Sequence, residues 1–204
     1  MRRDIFTSGE CRLLQSLSTP AKVQDYVNAL PFNFERQADT CRSPRGVMRH
    51  KEAHCLEGAM FAALALRFHG HRPLLLDLEA SGKDDDHVVA LFQQHGCWGA
   101  ISKTNHAVLR YREPVYRTLR ELALSYFHEY FLQKGGRKTL RTFSRPVSLT
   151  RFDRKNWMTS EGDVWFVRDH LYTIPHTPLL SRSQIETLRP ADRIERCAGE
   201  VTEW

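Results

Sequence analysis

The chain has 204 residues, of which 41% are hydrophobic and 26% charged, and its formal net charge is +6. These values are typical of a globular protein with a substantial core, and they exclude a disordered or collagen-like chain. The basic residues are spread along the sequence without interleaved aromatic residues, and only residues 135–145 resemble a local cluster. We therefore expect no nucleic-acid partner.

The distribution of apolar residues and cysteines bears on the cellular environment. The longest apolar run, residues 56–66, contains Glu57 and is shorter than the ~20 residues of a membrane span, so no membrane partner is expected. The first residues lack the apolar segment of a secretory signal. Five cysteines, an odd number without a CxxC pair, disfavour a disulfide framework or a zinc ribbon. We expect a cytoplasmic protein with reduced thiols, no metal and no cofactor.

Two helix openings occur in the first quarter of the chain, each a hydroxyl residue followed by proline. Thr19 and Pro20 open a predicted helix over residues 19–30. Ser43 and Pro44 open a second helical region, which leads into a helix that begins at residue 55 and is apolar on nearly every side. Such a helix is expected to be buried.

Three strands are predicted next, over residues 73–80, 86–92 and 97–102. The segments between them are rich in turn-forming residues and are too short to hold crossover helices. The sequence therefore predicts an antiparallel meander behind the apolar helix.

The second half of the chain carries weaker patterns. Apolar spacing predicts a helix from residue 114 to residue 134. Residues 140–149 and 163–174 are predicted to form strands, and residues 181–190 a short surface helix.

We predict one α+β domain over residues 1–204. It divides into N-terminal helices (8–42), a catalytic-like core (43–135) and a C-terminal strand extension (136–204).

Cys55 is the candidate nucleophile because it opens the apolar helix. The positive end of a helix stabilises a thiolate, although a cysteine in a buried helix is often only a small apolar residue. His87 is the best placed base, since it enters the second strand directly after the acidic residues 84–86.

The loop between the second and third strands decides what faces His87. A four-residue loop pairs Phe92 with Cys97 and sets His87 opposite Ser102, whereas a two-residue loop sets it opposite Thr104. In either register, a hydroxyl residue rather than a carboxylate faces the imidazole.

The order "HCLEGA" helix, "DHVVALF" strand and "WGAIS" strand resembles the transglutaminase-like family of the papain-like cysteine protease superfamily, over residues 43–105. The resemblance implies a Cys-bearing central helix packed on an antiparallel sheet. It implies that Cys55 is the nucleophile and His87 the base. The third triad position, four residues after Trp98, falls on Ser102, where the family has aspartate.

Five further residues have expected roles of their own. Asn105 and Asp77 are alternatives to Ser102 as the group that orients His87. His54 is expected to point away from Cys55 as a surface or capping residue. His69 and His71, at the end of the same helix, are expected to be a surface pair rather than metal ligands.

The resemblance implies a thiol enzyme that hydrolyses amides or transfers acyl groups, as a peptidase, a deamidase or a transglutaminase does. Its expected substrate is a peptide, a protein or an amide-containing small molecule. The alternative is a non-catalytic descendant of the fold that binds a peptide or a metabolite. The sequence leaves the oligomeric state open.

Overall fold

The computed structural model describes residues 3–82 and 84–203. The helices are α1 (Ser8–Ser16), α2 (Pro20–Ala29), α3 (Pro44–His50), α4 (Cys55–Phe68), α5 (Leu119–Ser125), α6 (Trp165–Thr173), α7 (Arg182–Glu186) and α8 (Arg193–Glu200). The strands are β1 (Leu74–Ala80), β2 (His87–Gln94), β3 (Cys97–Ser102), β4 (Arg112–Tyr116), β5 (Leu140–Ser144), β6 (Val147–Ser148) and β7 (His176–Pro178). Short 3₁₀ segments occupy Phe127–Glu129 and Leu149–Lys155.

The strands form one antiparallel sheet whose spatial order differs from the order of the strands in the chain. Together with the helices, this sheet confirms the predicted α+β class. Within the described residues the sheet runs in the order β4-β3-β2-β1-β5-β7, with β6 paired to β1 beside β5. Strands β1, β2 and β3 form the predicted antiparallel meander.

Each face of the sheet carries its own apolar core. Alternate residues of the central strands, such as Leu75 and Ala90, pack with α4 and the N-terminal helices. Their neighbours in sequence, such as Leu76 and Leu91, pack with α5 and the fully buried Tyr126 on the other side. The central strands are therefore covered on both faces, which explains their near-continuous apolar sequences.

Helix α4 is the buried mount of the candidate nucleophile. Twelve residues before it, Ser43 caps α3 by accepting a hydrogen bond from Gly46 N, as its position before Pro44 predicts. Lys51 then ends α3 in the left-handed conformation (φ 56°), and the chain is extended at His54 before α4 begins at Cys55.

Gly58, in the first turn of α4, permits a close approach to the sheet. A Cβ atom at this position would collide with the side chain of Lys103, which follows β3. The glycine therefore lets the start of α4 lie against the end of β3.

The loop between β2 and β3 is the two-residue loop His95-Gly96, and both residues have positive φ angles (51° and 76°). Positive φ at both loop positions is typical of a tight hairpin turn. Gln94 pairs with Cys97 and Val89 with Ser102. The four-residue loop is therefore wrong, and the alternative register is the one observed.

The predicted helix over residues 114–134 is also wrong. Arg112–Tyr116 forms strand β4 on the edge of β3, and Val115 on it is largely exposed. Thr118 then starts the shorter α5 through a capping box with Glu121. Apolar residues at helical spacing occur on both sides of this cap, so the spacing alone predicted one continuous helix.

Residues 136–204 contribute strands β5, β6 and β7 to the sheet, and β5 and β6 lie within the predicted strand over 140–149, but the segment also contains three helices. Most of the predicted strand over 163–174 is helix α6, which buries Val167 and Leu171 at helical spacing and follows the buried N-cap residue Val164. Helices α7 and α8 follow, of which α7 is the predicted surface helix. In 163–174, the β-branched and aromatic residues favoured a strand, but burial along one helical face prevailed.

In the described part of the chain, no helix has the length and apolar character required to cross a membrane.

Candidate active site

The Cys55 thiol lies at the first residue of α4 and lines two adjacent cavities. The larger has a volume of about 660 Å³ and the smaller about 460 Å³. Cys55 is only partly buried, and it lines both cavities. A reactant bound in either cavity could reach it.

The imidazoles of His54 and His87 line the larger cavity together with Cys55, and both interact with its thiol. Burial raises the pKa of the thiol, but these interactions outweigh burial and lower it to about 5. A thiol with this pKa is a thiolate at neutral pH, which is the nucleophilic form.

His87, the first residue of β2, is held on its far side by Ser102. The two side chains are joined by a hydrogen bond of 2.7 Å between Nε2 and Oγ. Ser102 Oγ donates its only proton to Leu109 O, at 2.5 Å, so it accepts from the imidazole. His87 therefore carries a proton on Nε2, which leaves Nδ1 of the neutral ring as the base.

The observed register explains how Ser102 reaches His87. Ser102 pairs with Val89, which lies two residues from His87 on the same face of β2. The contact is thus diagonal rather than directly across. Thr104, the residue that the two-residue loop places opposite His87, instead accepts a hydrogen bond from His106 N.

The alternatives to Ser102 have other partners. Asp77 Oδ2 is hydrogen-bonded to His176 Nε2 at 3.1 Å. Burial raises the pKa of Asp77 to about 6, against the lowering effect of this hydrogen bond. Asn105 lines the larger cavity, and its backbone carbonyl accepts from Glu203 N at 2.7 Å. Among the described residues, Ser102 is the side chain seen bonded to His87 Nε2.

His54 is the N-cap residue of α4, as expected, but the expectation that it points away from Cys55 is wrong, because its ring interacts with the Cys55 thiol. His54 Nε2 lies 3.0 Å from Thr40 O, 3.5 Å from Glu57 Oε1 and 3.8 Å from Glu35 Oε1. Burial lowers the pKa of His54, but the contacts with Cys55 and Glu57 outweigh it and raise the pKa to about 9. The sequence signal was the His54-x-x-Glu57 spacing, which brings the two together at a helix start.

The smaller cavity is predominantly acidic, although the chain as a whole is basic. Its carboxylates are Glu35, Asp39, Asp77, Asp84, Asp85 and Asp86. Trp165, Arg168 and Tyr172 complete the wall, and the Arg168 guanidinium lies 4.3 Å from the centre of the Trp165 ring. The acidic residues 84–86, which precede β2, are therefore part of the wall of the cleft.

The larger cavity has a mixed lining that includes Phe32, Phe34, Lys103, Asn105 and His106. Burial lowers the pKa of Lys103 to about 8, and its Nζ donates to Leu30 O. In the described part of the chain, no group of three or more His, Cys, Asp or Glu side chains is arranged to hold a metal ion.

No protein-family model matches the chain, and a search of curated proteins gives no significant match. The function is therefore argued from the contacts of the site itself.

Proposed function

We propose that the chain is a thiol-dependent enzyme that hydrolyses or transfers the acyl group of an amide, built on a papain-like core of the transglutaminase-like type. The observation that carries the proposal is the position of Cys55, at a helix start on the wall of a cleft that it shares with the imidazoles of His54 and His87. A structural cysteine needs no such environment.

The first half of the reaction forms an acyl-enzyme. The Cys55 thiolate attacks the carbonyl carbon, a C–S bond forms, and the electron pair of the carbonyl moves to oxygen. When the tetrahedral intermediate collapses, the C–N bond breaks. His87 Nδ1, which has taken the proton of the Cys55 thiol, gives that proton to the leaving amine.

The second half of the reaction regenerates the Cys55 thiolate. Water or a second amine attacks the thioester carbon while His87 Nδ1 removes its proton, and the C–S bond breaks to release the Cys55 thiolate. Ser102 Oγ holds the His87 ring throughout by accepting a hydrogen bond from its Nε2–H.

The negative charge on the carbonyl oxygen requires a hydrogen-bond donor. The backbone N–H of Cys55 is the natural donor, since the first amides of a helix have no acceptor within the helix. It lies on the same residue as the nucleophile, so it points toward the reacting carbonyl group from a fixed position.

The substrate class follows from the chemistry and from the cleft. The thiol attacks an amide-containing peptide, protein or small molecule, and the cavities on either side of Cys55 have room for the acyl donor and for the acceptor. The nucleophile must stay reduced, so we propose a cytoplasmic location.

An activated ester tests the proposal without knowledge of the natural substrate. The protein is incubated with p-nitrophenyl acetate, and peptide mass spectrometry locates the acetyl group. We expect acetylation at Cys55 and release of p-nitrophenol over repeated turnovers. Cys55→Ala should show neither. Cys97→Ala is the matched control, because Cys97 is also a partly buried thiol at the start of an element.

A wild-type protein without Cys55-dependent acetylation would contradict the enzyme and favour the binding descendant. If acetylation occurs, a glutamine-containing peptide separates the acceptors. Ammonia release in water alone indicates hydrolysis, whereas release that depends on an added primary amine, with the amine joined to the peptide, indicates transfer.

A further inference from the structure

We propose that His54 is a second catalytic imidazole, and that its buried partner Glu57 supplies through it the negative charge that Ser102 does not place behind His87. The inference rests on the proposed thiol chemistry of Cys55. It deepens that chemistry because it explains how a site with serine in the third position can still stabilise a thiolate.

The orientation of the His54 ring is fixed from outside the helix. The residue before it is tied to the N-terminal segment by hydrogen bonds from Asn33 N to Ala53 O and from Ala53 N to Pro31 O, both 3.2 Å. The Thr40 carbonyl can only accept, so the 3.0 Å contact places a proton on His54 Nε2. Nδ1 is left for the Cys55 sulfur.

The Glu57 carboxylate is held rigidly beside this ring. It is completely buried and accepts hydrogen bonds from Thr40 Oγ1 (2.8 Å), Arg42 N (2.9 Å) and Asn33 Nδ2 (3.1 Å). His54 N also donates to it, at 3.1 Å. A carboxylate fixed by these donors, 3.5 Å from Nε2, favours a protonated His54.

The two histidines therefore differ in what lies behind each ring. His87 is backed by a neutral hydroxyl and can exchange its proton with substrate. His54 is backed by a carbonyl and a carboxylate and stays positively charged next to the sulfur. In this division of roles, His54 stabilises the thiolate and His87 transfers protons.

Other charged and titratable groups face Cys55 and His54 from the surrounding elements. They are Glu35, Glu57, Asp77, Asp84, Asp85, Asp86, His87, Lys103, Tyr130, Arg168 and Tyr172. His54→Asn and His69→Asn leave all of them in place, so a changed alkylation profile in either variant reports the substituted residue.

The test is the pH dependence of Cys55 alkylation by iodoacetamide, measured by peptide mass spectrometry on the full chain. In His54→Asn, which can still cap α4, we expect the midpoint to move up by at least about one pH unit, equivalent to roughly tenfold slower alkylation below the midpoint. His69→Asn is the matched control: His69 Nε2 bonds Leu14 O at 2.8 Å, at the opposite end of α4. Its profile should match the wild type.

Turnover separates His54 from His87. Because His87 still transfers protons in His54→Asn, raising the pH should restore much of the lost p-nitrophenyl acetate turnover. In His87→Ala it should not. An alkylation profile of His54→Asn that equals the wild-type profile would overturn the inference. Alkylation requires no turnover, so this result would leave the proposed enzyme function untouched.

A second measurement covers the case in which His54→Asn does not fold. The His54 imidazole is titrated by NMR in the wild type and in Cys55→Ala. We expect the wild-type ring to be protonated at neutral pH and its midpoint to fall by at least about one unit without the thiolate. Equal midpoints in the two proteins would overturn the inference.

Discussion

Cys41 and Cys55 lie near the same end of α4, yet their thiols have opposite acidity. Burial raises the pKa of Cys41 to about 12, with the Glu57 and Asp163 carboxylates adding to the effect. Burial also raises the pKa of Cys55, but interactions with His54 and His87 bring it down to about 5.

The two cysteines differ because imidazoles lie beside Cys55 and lower the pKa of its thiol, whereas burial alone would raise it. Cys41 is sealed in the apolar core, with its N–H donating to Asp163. Cys55 opens onto two cavities. A cysteine count could not separate them, whereas the neighbouring groups do.

Replacing each of the two thiols in turn should give the largest effects on turnover and stability. Cys55→Ala should reduce turnover at least ~10³-fold and lower the free energy of unfolding at neutral pH by about 2–3 kcal/mol, because a thiol whose pKa falls to about 5 on folding contributes stability above that pH. Cys41→Ala should retain turnover and lower the unfolding free energy by about 1 kcal/mol. Turnover assays and urea denaturation measure both, and a turnover loss confined to Cys41→Ala would reverse the assignment.

His87→Ala should have the next largest effect. Loss of a general acid–base group reduces turnover by about 10²–10⁴-fold. The loss should persist at alkaline pH, because the leaving amine still lacks a proton donor. Steady-state rates across the pH range check this, and full activity at any pH would mean that another group transfers the proton.

Ser102→Ala should have a moderate effect. The variant removes one neutral hydrogen bond to His87, worth about 1 kcal/mol, and should slow turnover by roughly 5–10-fold. Ser43→Ala is the control, because its equally buried hydroxyl also donates to a carbonyl, that of Ser160, in the cap of α3. Equal activity losses in the two variants would show that Ser102 does not orient the base.

Asp77→Asn should give the smallest effect, seen in stability. Burial raises the folded-state pKa of Asp77 to about 6, above the unfolded value of 3.8, so the folded state binds the proton more tightly. Stability from this group is present at low pH and is lost as pH rises from about 4 to 6. Urea denaturation across that window should show a decline about 1–3 kcal/mol smaller in Asp77→Asn. An unchanged decline would contradict the assignment.

Much of the candidate site could be predicted because its chemistry follows the order of elements. A cysteine at a helix start, a histidine entering the next hairpin and a hydroxyl residue across from it are visible in sequence. The structure brings Cys55, His87 and Ser102 together by these contacts. The sequence is compatible with two lengths of the loop between β2 and β3. The positive φ angles at His95 and Gly96 belong to the two-residue loop, which sets the register.

His54 escaped prediction because an N-cap residue lies outside the helical periodicity. Its backbone is extended (φ −87°, ψ −177°), so helical spacing does not set the direction of the ring. Its partner Thr40 comes from a loop 14 residues earlier. Tertiary packing likewise made residues 163–174 a helix, against their strand propensity.

The most direct test of the central claim is the alkylation rate of wild-type Cys55 as a function of pH, in the native chain and in the chain unfolded by urea. The native profile should reach half its maximum near pH 5, and the unfolded profile near the ordinary thiol value of about 8.5. A native profile that coincides with the unfolded one would show that His54 and His87 do not activate the thiol, and would contradict the account.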